Sequence, residues 1–389
     1  MKDETIAVVA GRDPKAHYGA VNTPVYRAST ILFETFDDFA AAVHDPAQYK
    51  FSYGRTGTPT SASLEDAIMR LEGGAHCRLA PSGLAAITTA LLAFLSSGDH
   101  LLMTLGAYHP THNFCNSMLK QFGVETTYYD PLVGADIEKL MRPNTKVVFV
   151  ESPSTGLFEV QDIPAIAQVA HAHGAVVMMD NTWASPLYFK PFAHGVDVSI
   201  QAATKYIVGH SDAMLGSITC TDGSWDKVVH AHQHLGQMAG PDDIYLALRG
   251  LRTLSARLPV HHRNGVALAR YVAKQPEVER VYHPALETDP NHALWKRDFL
   301  GASGLFSFSL KPWVTREALA AMLEEFELFG IGASWGGFES LVLPFRLKTY
   351  RNVAKEDDRW VVRVHAGLEN VDDLIEDLRR GFAKLAAMK

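Results

Sequence analysis

Residues 196–216 read VDVSIQAATKYIVGHSDAMLG. The run DVSIQAAT alternates like a buried strand and stops at Lys205, after which the chain turns through Gly209 and His210. An ammonium group at the end of a core strand must be paired, hydrated or stripped of its charge, because burying it unpaired is too costly. Upstream, HLLMTL (100–105), KVVFVES (146–152) and AVVMMD (175–180) are further short apolar runs that read as buried strands. Between them, SLEDAIMRLEGG (63–74) and GLAAITTALLAFLSSGD (83–99) have helical spacing and end in glycine, and PAIAQVAHAHG (164–174) carries Pro164 in its first turn. Strands alternating with helices predict a mainly parallel sheet covered on both faces, the α/β class.

Beyond about residue 255 the pattern changes to LFSFSL (305–310), a helix from Thr315 to Phe326, VVRVHAGLE (361–369) and a charged amphipathic helix from Val371 to Ala387. This predicts a smaller α+β unit. Residues 1–57 show little periodicity and read as an extended arm, so the expected division is an arm (1–57), an α/β domain (58–252) and a C-terminal α+β domain (253–389).

The 389 residues are 47% hydrophobic and 20% charged, the composition of a folded globular chain. A net charge of −7 without a basic run leaves no electrostatic footprint for nucleic acid or an anionic membrane, which points to small molecules. The amino terminus lacks the apolar segment of a signal peptide, and the longest apolar stretch, Ala85 to Leu95, is too short to span a bilayer. The three cysteines, Cys77, Cys115 and Cys220, lack metal-ligand or redox spacing and fit reduced thiols in a cytoplasmic protein.

Ligands of open parallel sheets bind outside the carboxyl ends of the strands. Tyr108, Asp180 and Lys205 all follow such ends, and Pro81-Ser82-Gly83 opens a helix whose free N–H groups suit a phosphate. Taken singly, Lys205 fits a salt-bridged lysine, Asp180 a helix cap in DNTW, Tyr108 a packed ring and Gly83 a turn. Together they supply an anion hole, a carboxylate, an aromatic face and a lysine, the set needed to hold pyridoxal 5'-phosphate. The histidines of HAHQH (His230, His232, His234) have i, i+2 spacing, which places them on different helix faces, and no metal site is expected.

YGRTGTPT (53–60), APSGLAAI (80–87), DNTW (180–183), ATKYIVGHSDAM (203–214) and SWGGFES (334–340) resemble stretches of the Cys/Met-metabolism family of pyridoxal-phosphate enzymes, across nearly the whole chain. Within it, IEKLMRPNTKVVFVESP and NHALWKRDFLGASGLFSF are most similar to bacterial cystathionine β-lyases. The resemblance implies a seven-stranded aspartate-aminotransferase-like (fold type I) sheet and C–S lyase chemistry: α,β-elimination of L-cystathionine to homocysteine, pyruvate and ammonia in methionine biosynthesis. γ-Acting relatives and a broad cysteine-S-conjugate β-lyase are the alternatives. It also implies roles. Lys205 would bind the cofactor as an imine and move the Cα proton, Asp180 would bond the ring nitrogen, and Tyr108 would stack on the ring and serve as an acid. Gly83, Leu84 and Thr204 would hold the phosphate, at which Ala202 replaces a frequent serine. Tyr53 and Arg55 would reach a neighbouring subunit's phosphate, and Arg363, with Ser334 and Trp335, would bind the substrate carboxylate. A homotetramer of dimers sharing sites follows. Thr58 and Thr155-Gly156 depart from the asparagine and Asn-Pro of many relatives.

An NAD-dependent oxidoreductase, which could use a similar sheet edge, is disfavoured because no G-x-G-x-x-G follows the first strand.

Overall fold

A computed structural model describes residues 1–44, 51–350 and 358–389. The larger sheet has seven strands, β1 (His76–Ala80), β2 (His100–Thr104), β3 (Glu125–Tyr129), β4 (Thr145–Glu151), β5 (Val176–Asp180), β6 (Val198–Gln201) and β7 (Gly216–Cys220), in the order β1-β7-β6-β5-β4-β2-β3. From β6 to β3 every neighbour is parallel, and β7 runs antiparallel to both β1 and β6. The carboxyl ends of β1, β2, β4, β5 and β6 therefore open on one edge.

Period-two alternation decides how the faces are covered. Leu101, Met103, Val147, Phe149 and Met178 point to one side and pack on Ile87 and Leu91 of helix Gly83–Phe94. Leu102, Val148, Val150, Val177 and Met179 point to the other and pack on Ile166 and Ala170 of helix Ile163–Ala172. Continuous apolar strands are what two-sided burial requires.

A five-stranded sheet follows: β8 (Val278–Tyr282), β9 (Leu305–Leu310), β10 (Gly330–Ile331), β11 (Leu341–Arg346) and β12 (Trp360–His365), ordered β10-β11-β12-β9-β8. Phe306, Phe308, Val362 and Val364 pack against Leu374, Leu378, Phe382 and Leu385, which form one stripe of helix Val371–Ala386. The helix expected from Thr315 to Phe326 is shorter. Thr315 is its N-cap, its hydroxyl accepting the Ala318 N–H at 3.2 Å, and it runs Arg316–Leu323. Phe326 leaves the helix and lies over Gly381, where an added Cβ would meet the ring at 2.2 Å. Burial of an aromatic ring against a bare glycine outweighs another helical turn.

The amino-terminal segment differs from an extended arm at its start. Residues Asp3–Val9 form a helix whose Ala7, followed by Ala10, joins the core of Leu64, Ala67 and Ile68. Asp3 pairs with Lys190 at 2.7 Å, and the Arg252 guanidinium donates to the Ala7 and Ala10 carbonyls at 2.9 and 2.8 Å. Residues 20–35 form neither helix nor strand beyond a bridge between Thr30 and Tyr53, and a second helix, Phe36–His44, departs again from an extended arm.

Candidate active site

Lys205 sits just past the end of β6, half-buried, and its Nζ donates to the Ser334 hydroxyl at 2.6 Å. It also lies 5.4 Å from the centre of the Trp335 ring. Burial first, and the Arg363 cation second, pull its pKa from 10.5 down to about 8, against the opposing pull of Asp180. A proton is thus easily lost there. The loop that brings Ser334 is strained: Ser334 has φ 79°, and at Gly336, with φ 86°, a Cβ would stand 2.9 Å from the Lys205 carbonyl carbon. Arg363, on β12, donates to the Ser334 carbonyl at 2.8 Å, so the second sheet delivers both groups to the edge of the first.

Asp180 ends β5 and is 8% exposed. Its Oδ1 accepts the Thr182 N–H at 3.0 Å and the Thr182 hydroxyl at 2.5 Å. Burial raises its pKa, while the Thr182 bonds and Lys205 oppose the rise. A cation placed beside it would restore the charged form.

The candidate phosphate cradle is the start of helix Gly83–Phe94. Ser82 caps it, accepting the Ala85 N–H at 3.1 Å, and the first-turn amides of Gly83 and Leu84 have no partner within the helix. Gly83 approaches Ala202 so closely that a Cβ would lie 2.6 Å from the Ala202 side chain. The Ala202 N–H donates to the Thr182 hydroxyl at 2.9 Å. Thr204 is engaged by Leu215, accepting its N–H at 2.9 Å and donating to its carbonyl at 3.2 Å, so the backbone amides form the more open part of the cradle.

Tyr108 follows β2, is 44% exposed, and opens a short helix, His109–Phe114. Burial, then the nearby Asp180, raises its phenol pKa and keeps the hydroxyl protonated near neutrality. A donor set of amides, carboxylate, aromatic ring and amine fits pyridoxal phosphate: Gly83 and Leu84 could take its phosphate, Asp180 its ring nitrogen, Tyr108 its face and Lys205 its aldehyde.

Two expected residues stand apart from this group. Tyr53 is 47% exposed, and Arg55 donates to the Gln233 carbonyl at 2.9 Å on helix Asp222–His234. Thr58 caps helix Pro59–Glu72 in a reciprocal box with Ser61. His232 bonds the Leu79 carbonyl at 2.7 Å, while His230 and His234, four residues apart, share one helix face, contrary to the expectation of different faces, with tilted rings whose centroids are 4.0 Å apart.

Glu151 and Thr182 escaped the sequence reading. Glu151 carries a readable signal, a carboxylate at the carboxyl end of KVVFVE, on the same edge as Asp180. Thr182 carries none beyond its place in DNTW.

Residues 4–383 match the family described as Cys/Met metabolism PLP-dependent enzyme. The chain is 46% identical over 390 residues to the cystathionine β-lyase MetC of Escherichia coli, covering 99% of each chain. It is 49% identical over 382 residues to a protein of Rhizobium johnstonii named putative cystathionine β-lyase, covering 97% of this chain and 95% of that one. Among solved structures, a cystathionine γ-synthase from Xanthomonas oryzae, in complex with aminoacrylate and cysteine, superposes with a TM-score of 0.92 at 32% identity over 100% of both chains. With its lysine, carboxylate and helix terminus assembled on one sheet edge, the chain belongs to the Cys/Met-metabolism family of pyridoxal-phosphate-dependent enzymes.

Proposed function

We propose that this enzyme is a carbon–sulfur lyase that cleaves L-cystathionine by α,β-elimination to homocysteine, pyruvate and ammonia, in the methionine-forming direction of sulfur metabolism. The observation that carries the reading is the contact of Lys205 with Ser334, whose carbonyl in turn accepts Arg363. One loop thereby sets a proton-accepting amine beside a carboxylate clamp.

When bound, the cofactor supplies an electron sink for the pair left on the substrate Cα. The residues divide the remaining work. Arg363 holds the α-carboxylate through its planar fork, and Ser334 and Trp335 line that pocket. Lys205, with its pKa near 8, is uncharged often enough near neutral pH to take the Cα proton. Asp180 keeps a proton on the ring nitrogen. Tyr108, still protonated, stands as an acid for the departing thiolate, with Lys205 as the other donor.

The relatives named as β-lyases, 46–49% identical, support β- over γ-cleavage, since the γ-acting solved structures are 31–32% identical. The exposed Tyr53 and the irregular segment 20–35 support an assembly of dimers in which this arm completes a neighbour's site, paired into a tetramer. Among the described residues no helix is long and apolar enough to cross a membrane. The three cysteines are all free, in keeping with a cytoplasmic setting.

Incubation with L-cystathionine and assay of both keto acids tests the reading. Pyruvate with homocysteine is expected, whereas 2-oxobutyrate with cysteine would move the enzyme to the γ-cleaving side of the family.

A further inference from the structure

Glu151 closes β4 directly beside Asp180, its partner in the β4–β5 register, and is 7% exposed. Two loops hang from its carboxyl. Oε2 accepts the Tyr108 N–H at 2.7 Å, and Oε1 shares a hydrogen bond with the Thr155 hydroxyl. The Glu151 N–H is held by Gln161 Oε1 at 3.0 Å, and Gln161 Nε2 donates onward to Thr104, the last residue of β2, at 3.2 Å. Thr155 also donates its own N–H to the Gly106 carbonyl at 2.8 Å, two residues before Tyr108. The loops after β2 and β4 are thus joined by one backbone bond and by one buried side chain, Glu151.

We infer that Glu151 is a positioning residue of this site: its carboxyl ties the Tyr108 loop to the Thr155 loop and so sets where the Tyr108 ring stands. The Tyr108 carbonyl is held by its own helix, accepting the Thr111 N–H at 2.9 Å, and its N–H is held by Glu151, so that bond fixes the ring's backbone on the side facing the sheet edge. The departure at Thr155 acquires a purpose here, since its hydroxyl is turned to Glu151. Burial, and then Asp180, push the Glu151 pKa well above the usual carboxylate range. Of two carboxyls this close, one stays neutral so that the other can be charged. A neutral Glu151 leaves the charge to Asp180.

This inference rests on the pyridoxal-phosphate reading, and the experiment separates the two. Holoenzyme carrying Glu151→Ala, Glu151→Gln or Thr155→Val is compared with the wild type by steady-state kinetics and by the visible circular dichroism of the bound cofactor. Misplacing a group by about 1 Å can cost on the order of 100-fold, so Glu151→Ala is expected to lose about 10- to 100-fold in kcat, with a smaller change in KM. Its cofactor band should weaken. Glu151→Gln, isosteric and neutral, should recover most of the lost rate and the band, and Thr155→Val should fall between wild type and alanine. Should the alanine variant not fold, the glutamine and valine variants still decide the matter. A wild-type rate and band in Glu151→Ala, a glutamine variant as impaired as alanine, or a Thr155→Val variant indistinguishable from wild type overturns the inference. Hydride trapping of the cofactor on Lys205 in the wild type is the independent arm, and an adduct elsewhere overturns the underlying reading instead.

Discussion

The charge on Lys205 is costly to the cofactor-free chain. Its folded-state pKa is about 8 against an ordinary 10.5, so the unfolded chain binds this proton more tightly. Stability then rises with pH across that window: the cost of the buried ammonium is full below pH 8, shrinks towards pH 10.5 and vanishes above it. Lys205→Met is therefore expected to raise the Tm of the cofactor-free protein at pH 7, with a gain that narrows as the pH climbs to 10.5. Thermal unfolding across that range checks this, and a lower Tm or a pH-independent difference contradicts it. At this scale Lys205, Asp180 and Tyr108 were legible because each follows an apolar run. Glu151 was less legible, because a carboxylate after a strand is usually a solvated turn residue, and only burial beside Asp180 gives it a role.

Among the elements, the strands buried on both faces, β2, β4, β5 and β6, read clearly as apolar runs. The missed strands of the larger sheet lack a continuous run of large apolar residues. β3 reads ETTYY and is half-exposed at the sheet's edge, and β1 reads HCRLA, with His76 and Arg78 directed to Asp222 and Glu65. β7, GSITC, is fully buried but short and rich in small polar residues. The helix start at Gly83 was read from its punctuation, yet the reason glycine is required came only from its approach to Ala202. Gly83→Ala pushes a Cβ to 2.6 Å from the Ala202 side chain, so the helix start, with the amides proposed to hold the phosphate, and Ala202 must shift apart. A charge-assisted hydrogen bond is worth about 1.5–3 kcal/mol, so affinity for pyridoxal phosphate should fall by roughly 10- to 100-fold. Absorbance titration of the cofactor-free variant measures it, and an unchanged affinity would show that the amides do not hold the phosphate.

For the whole molecule, the proposed sharing of sites between subunits yields a complementation test. Lys205→Ala and Arg55→Ala are each expected to be nearly inactive alone. If Arg55 serves the neighbour, a hybrid dimer contains one doubly damaged site and one intact site. Under two-fold symmetry, random mixing makes half the dimers hybrid, so about a quarter of the wild-type activity should return. No recovery after verified subunit exchange would place Arg55 in its own subunit's site. The same segment shows where sequence periodicity misleads: Asp3–Val9 is too short to display a helical stripe, yet Ala7 and Ala10 are fully buried because Lys190 and Arg252 clamp it to the α/β core.

The amino-acid sequence by itself carried the two-sided apolar pattern of the central strands and, through its resemblance, a proposal for the site's lysine, carboxylate and anion cradle, because apolar runs, glycine turns and motifs are local signals. Only the tertiary structure decided that Ser334 and Arg363 meet Lys205, and that Glu151 joins the Tyr108 and Thr155 loops. Those contacts depend on how the second sheet packs on the edge of the first and on strand register, and neither is written in any short stretch of chain.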